Sequence, residues 1–248
     1  MRNSHQHLSK ISYMHCVKLF VRSILFLLVL IFYILGRASE LKDFHALPIF
    51  VWVFFVVEMI LRFFPSNWES MGCQKQFKRN YKAKGQNVRP TNQSWKRTAL
   101  VAGIWILLNS TIGLLYFAGI FDKGVLLLIS IGFSVCDIIC ILFFCPFQTW
   151  FMKNRCCVSC RIYNWDFAMM FTPLVFIPSI YTYSLLGCAL ALLLRWEIAY
   201  RKYPERFSIE TNTCLDCSNC KEKLCSHKKQ LQRFFQKERN TNRKGNMH

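Results

Sequence analysis

Two cysteine clusters bracket the last apolar stretch of this chain. Cys156, Cys157 and Cys160 precede it, and Cys214, Cys217, Cys220 and Cys225 follow it, with His227 two residues further on. The second cluster reads C-x2-C-x2-C-x4-C-x-H. Thiolates bind zinc tetrahedrally or hold iron–sulfur clusters, and a short C-x2-C turn presents two sulfurs to one metal. Four converging sulfurs, with His227 as a borderline donor, would make one centre. The bland alternative is a set of unliganded thiols in a flexible tail. In the first cluster, adjacent Cys156 and Cys157 are poor joint ligands for one tetrahedral ion, so Cys157 and Cys160 are the better pair. They would complete a second site or form a redox pair, because flanking Arg155 and Arg161 favour thiolate. Inert interfacial thiols are the competing reading.

A second constellation lies inside an apolar run. Cys136 and Cys140 share a helical face beside Asp137. An intramembrane carboxylate is costly and usually faces a bundle interior, where it serves ion, proton or ligand traffic. Asn109 is a candidate partner. The alternative is an interhelical hydrogen bond, with the cysteines as small packing residues. Glu58 and Arg62 stand one turn apart and suggest a structural ion pair. Trp52, Trp68, Trp105, Trp150, Trp165 and Trp196 fall mostly near the ends of apolar runs and suit an interfacial belt. Leu231, Phe234 and Phe235 lie among basic residues, as in a helix resting on an anionic bilayer surface. The basic tail carries no nucleic-acid recognition motif, so no nucleic-acid partner is expected. No P-loop, G-x-S-x-G, dinucleotide fingerprint or H-E-x-x-H is present.

The elements that must position these residues are apolar and long. The chain is 53% hydrophobic and 16% aromatic, yet its formal net charge is +19. A membrane protein with basic loops combines these values naturally. Runs at about 19–36, 47–64, 99–121, 124–145 and 168–194 approach the ~20 residues needed to span a bilayer core. The expected fold is therefore an all-α integral membrane bundle of four to five spans. A basic N-terminal segment at 1–18, the bundle at 19–200 and a basic Cys-rich tail at 201–248 divide the chain. The first run resembles a signal peptide, but its length and Arg37 beside Gly36 and Ala38 favour a retained span.

Charge sets an orientation and raises a conflict. The loop at 65–98 holds eight Lys/Arg against one acid, Glu69, which assigns it to the cytoplasm. The N-terminus and 152–166 follow it there. A simple fifth span would put the tail outside, although that tail holds twelve Lys/Arg against five acids. Pro173 and Pro178 offer a way out: a leg at 167–178 that re-enters and returns, tolerated only if buried in protein. The tail would then be cytoplasmic, both clusters would share a face in a reducing compartment, and metal or redox chemistry would be favoured over disulfides.

The stretches FFCPFQTWFMKNRCCVSCRIYNWD and YPERF…CLDCSNCKEKLC resemble an uncharacterised group of bacterial multi-pass membrane proteins with a Cys-rich cytoplasmic tail, over roughly the C-terminal half. That likeness implies no activity. More loosely, Cys140, Cys145 and Pro146, followed by Phe147 and Gln148, resemble the Cys-Pro motifs of membrane polyferredoxins. That resemblance implies iron–sulfur clusters and electron transfer with a redox partner protein or quinone. Cys214, Cys217 and Cys220 match the first three ligands of a bacterial ferredoxin run, whereas Cys225 comes one residue late and lacks the proline. The expectation is an integral membrane metal-binding protein, with an iron–sulfur or zinc centre on the cytoplasmic face. The alternative is a transporter or scaffold in which zinc staples the tail and Asp137 lines the pathway.

Overall fold

The computed structural model describes residues 9–39, 46–85, 89–90, 95–154, 156–220, 222 and 225. Their regular structure is helical: α1 (Lys10–Ser39), α2 (Ala46–Arg62), α3 (Met71–Gln74), α4 (Trp95–Phe117), α5 (Lys123–Leu142), α6 (Asp166–Phe171) and α7 (Ile180–Lys202). Four helical stretches among them are long and apolar enough to cross a membrane: Lys10–Gly36, Trp95–Phe117, Lys123–Leu142 and Ile180–Lys202. The 17-residue α2 is comparably apolar and slightly shorter. Outward positions such as Phe20, Ile31, Val57, Ile106, Leu114 and Leu190 are exposed. So continuous an apolar exterior is abnormal for a chain surrounded by water.

The described residues traverse the bundle six times. Helix α1 starts beside Glu222, whose carbonyl accepts from Ser9 and Ser12. It runs to the opposite end, where Tyr33 donates to Asp122. Helix α2 returns. Helix α4 goes out again, from Arg97, bonded to the Met152 carbonyl, to Tyr116 and Phe117 at Phe176. Helix α5 comes back antiparallel to α1, its start capped by Asp122 accepting from Val125 N–H. It ends at Leu142 because Pro146 supplies no donor for the Leu142 carbonyl.

The fifth traverse is the leg read from the sequence as re-entrant. Helix α6 continues as a 3₁₀ segment, Thr172–Phe176, and reaches the tip of α4 before the chain turns at Pro178 into α7. Phe167, Met170, Phe171 and Leu174 are almost fully buried among α1, α2, α5 and α7. The leg thus occupies the bundle axis, and its irregular backbone is enclosed by protein. Gly113 makes room for it, since a Cβ there would collide with the Phe176 ring. An even number of traverses leaves the start of α1 and the end of α7 at one end, called here the cysteine end.

That end is closed by a cap. Residues 70–84 fold onto 203–222: Thr213 N–H donates to the Lys82 carbonyl at 2.8 Å and Lys84 N–H to the Thr211 carbonyl at 3.1 Å. Arg206 bonds the Gln76 carbonyl at 3.1 Å, and Phe207 packs edge-on against Trp196 at 4.8 Å. Trp196 is 1% exposed and donates to the Arg161 carbonyl. It is therefore a core residue of the cap and not part of an interfacial belt. Helix α1 begins at Lys10, inside the segment expected to precede the bundle, because Ser12, His15 and Arg22 carry the inward stripe of Leu25 and Val29 toward the N-terminus with polar residues.

Candidate functional site

The two cysteine clusters lie at the same end, but they combine differently from the expectation. A cap cavity of about 670 Å3 is lined by Cys156, Cys214, Cys217, Cys220 and Cys225, with Glu222 beside them. Cys156 Sγ and Cys225 Sγ are 3.9 Å apart. Cys157 and Cys160, expected to complete a second site or form a redox pair, face the other way. They line a separate cavity of about 130 Å3 with Cys136, Asp137, Cys140 and Cys145. The physical reason is the tight turn at 157–160, closed by Cys160 N–H on the Cys157 carbonyl at 2.9 Å. It sends neighbouring side chains to opposite sides, so the adjacent pair Cys156 and Cys157 divides between two cavities. His227 lies outside the described residues. Among the described residues, no three His, Cys, Asp or Glu side chains are arranged to hold one metal ion.

Local structure explains how the cap thiols are presented. Asn212 accepts from Cys214 N–H at 3.1 Å and Asp216 from Ser218 N–H at 3.4 Å, each opening a single 3₁₀ turn that carries cysteines. Lys84 ties Asp216 at 2.6 Å and, through that hydrogen bond, holds its carboxyl below the usual range. Glu222 accepts from Met71 N–H. Burial dominates there and pushes its carboxyl up to about 7.

Lys75, which sequence reasoning treated only as loop charge, is 1% exposed. Its ammonium donates to the carbonyls of Val158 at 2.8 Å and Cys160 at 3.3 Å, and it sits 5.0 Å from the centre of the Trp196 ring. Burial lowers it to about 8. Burial likewise pushes the Cys160 and Cys73 thiols up to about 12. Such thiols are protonated and weakly nucleophilic at neutral pH, so Cys160 is poorly suited to act as an attacking thiolate.

The inner cavity lies between α4 and α5, where Trp105 meets Phe133 at 5.0 Å. Pro146 frees the chain after Leu142, so Cys145 leaves the helix and hydrogen-bonds Cys140 through sulfur. Gln148 links onward: its N–H donates to Cys145 Sγ at 3.3 Å, and its Oε1 accepts from Cys157 Sγ at 2.5 Å. Asp137 does not pair with Asn109, whose amide donates to the Trp105 carbonyl in its own helix at 2.9 Å. The Asp137 partner is Arg22 at 3.4 Å.

Arg22 belongs to a buried ion-pair chain absent from the sequence reading. Arg22 and Lys18 flank Glu58 at 2.9 and 3.0 Å, and Lys18 reaches Glu69 at 2.9 Å. Arg62 lies 4.0 Å from Glu69 and 2.5 Å from Asp166. Glu58 and Arg62 therefore bind different partners and do not form the expected pair. The available signal was the four-residue spacing of Lys18 and Arg22 on the inward stripe of α1. Arg195 and Glu197 are also used structurally: Arg195 bonds the Phe63 carbonyl, while Glu197 accepts from Arg161 and Trp165 at the base of the α6–α7 hairpin.

No protein-family model, curated protein or solved structure matches this chain. Its chemistry is read from the two cavities alone.

Proposed function

We propose that the chain is a multi-pass integral protein of the cell membrane that holds a thiolate-ligated metal centre in its cap. In this reading the N-terminus and the Cys-rich tail are cytoplasmic. The apolar exterior supports insertion. Six traverses support this orientation, because the start of α1 and the end of α7 then lie at the same end as the basic loop 65–98.

The observation that carries the metal reading is one cavity walled by Cys156, Cys214, Cys217, Cys220 and Cys225, with Cys156 and Cys225 sulfurs 3.9 Å apart. The donor chemistry fits zinc or an iron–sulfur cluster, both of which thiolates select. Cys156 joins the four tail cysteines in the ligand set. The bound metal would cross-link tail and bundle, and an iron–sulfur centre would add electron transfer to a redox partner protein or quinone. Zinc, having no redox chemistry, would leave a structural staple.

Anaerobic purification followed by elemental analysis tests this. Brown protein absorbing near 400 nm supports iron–sulfur, and colourless protein with stoichiometric zinc removes electron transfer. Protein free of both metals, whose Cys156→Ser/Cys225→Ser variant binds added zinc as well as the parent, refutes the centre.

A transporter reading has its own observation: the inner cavity is lined by Asp137 and Asp166. Each of those carboxylates contacts an arginine, Arg22 or Arg62, an arrangement that suits a charge-balanced bundle core as well as a pathway.

A further inference from the structure

We infer that the inner cavity is a second metal site, separate from the cap, that takes a soft monovalent cation of the copper(I) or silver(I) kind on Cys140 and Cys145. The argument starts from donors. Cys140, Cys145, Cys157 and Cys160 line the cavity together with the thioethers of Met169 and Met170. Thiolate and thioether sulfur select soft ions, whereas calcium and magnesium require six or more oxygen ligands or several retained waters. Two carboxylates line it, and each is held by an arginine, Asp137 by Arg22 and Asp166 by Arg62, which leaves too few oxygens for such a shell. Sulfur is what the cavity offers.

Coordination number narrows the ion further. Zinc in a closed protein site asks for four donors, more than one close pair of sulfurs supplies. Two sulfurs do meet, Cys140 and Cys145. A d¹⁰ monovalent ion is satisfied by two. Charge points the same way: one monovalent ion on two thiolates carries a net charge of −1, against −2 for zinc on four. Burying the smaller charge in apolar surroundings costs less. Uptake is M⁺ + 2 RSH → M(SR)₂⁻ + 2 H⁺, so two protons pass to solvent for each ion bound.

Gln148 joins Cys145 to Cys157, on the inner side of the 157–160 turn, whereas Cys156 before it meets Cys225 in the cap. The inner pair shares no ligand with the cap centre, so the two readings fail separately.

The test uses the reduced full-length protein in detergent, with silver(I) as a redox-inert probe and bound silver counted after desalting. Cys140→Ser/Cys145→Ser is expected to bind one silver fewer than the parent and to release two fewer protons on titration, with cap metal content unchanged. Cys140→Met, which keeps a soft donor and similar packing, is expected to retain that silver. A variant lacking Cys156 and Cys225 should still protect Cys140 and Cys145 from alkylation when silver is present. An unchanged silver count in Cys140→Ser/Cys145→Ser overturns the site. So does protection that disappears with the cap thiols.

Discussion

Replacing Arg22 by methionine is expected to destabilise the bundle by about 3 kcal/mol. Arg22 is 0% exposed. It donates to Glu58 at 2.9 Å, to the Ser134 carbonyl at 2.8 Å and to Asp137 at 3.4 Å. Removing one partner of a buried ion pair typically costs ~3–5 kcal/mol, because the remaining charge stays buried and uncompensated. Here Glu58 keeps Lys18 at 3.0 Å. The Arg22 contact with Asp137 is the longest of the three, at 3.4 Å. Both facts place the loss at the lower end of that range. Since ~1.4 kcal/mol is a factor of ten, the folded-to-unfolded ratio should fall on the order of a hundredfold. The assay is reversible denaturant titration in mixed micelles, followed by tryptophan fluorescence and circular dichroism. Adding Asp137→Asn to Arg22→Met removes the stranded carboxylate and should restore about 1 kcal/mol, within the ~0.5–3 kcal/mol found for contacting pairs. A loss under about 1 kcal/mol, with no recovery in the double variant, would show that Arg22 is not the buried hub of this network.

Three further outcomes are expected. Mild oxidation should join Cys156 to Cys225, detected as a cross-linked peptide by mass spectrometry, whereas a Cys157–Cys225 product would contradict the divided pair. Lys75→Met should leave the Val158 and Cys160 carbonyls without their donor, costing about 1–3 kcal/mol, and protease should then cut 203–222 faster than in the parent. Glu69 supplies a pH dependence: burial alone would raise its carboxyl, but Arg62 and Lys18 outweigh burial and hold it below 4.5. A depressed folded-state value gives stability that is present above pH 4.5 and lost as pH falls below it. The parent should therefore lose more melting temperature than Glu69→Gln between pH 6 and pH 3, and equal losses would exclude this contribution.

The sequence by itself determined the helical class and the approximate position of each long apolar element. Hydropathy and length are local properties, and a run of about 20 apolar residues has few alternatives to a helix. It also pointed to a turn near Pro178, because a proline between two apolar legs forces a choice between kink and hairpin. That choice belonged to the tertiary structure. The leg at 166–176 became a buried central traverse only because α1, α2, α4, α5 and α7 enclose it. Partnership among polar residues was equally illegible. Glu58 and Arg62 are neighbours on one helix, yet each is bound by residues from elsewhere in the chain, Arg22 and Lys18 or Asp166 and Glu69. Spacing likewise marked the cysteines as chemistry without saying which sulfurs share a cavity. That depends on one tight turn at 157–160 and on the break before Pro146, which direct Cys156 to the cap and Cys157, Cys160 and Cys145 to the interior. A sequence specifies donor types; the direction of each side chain is set by backbone turns and by what packs behind them.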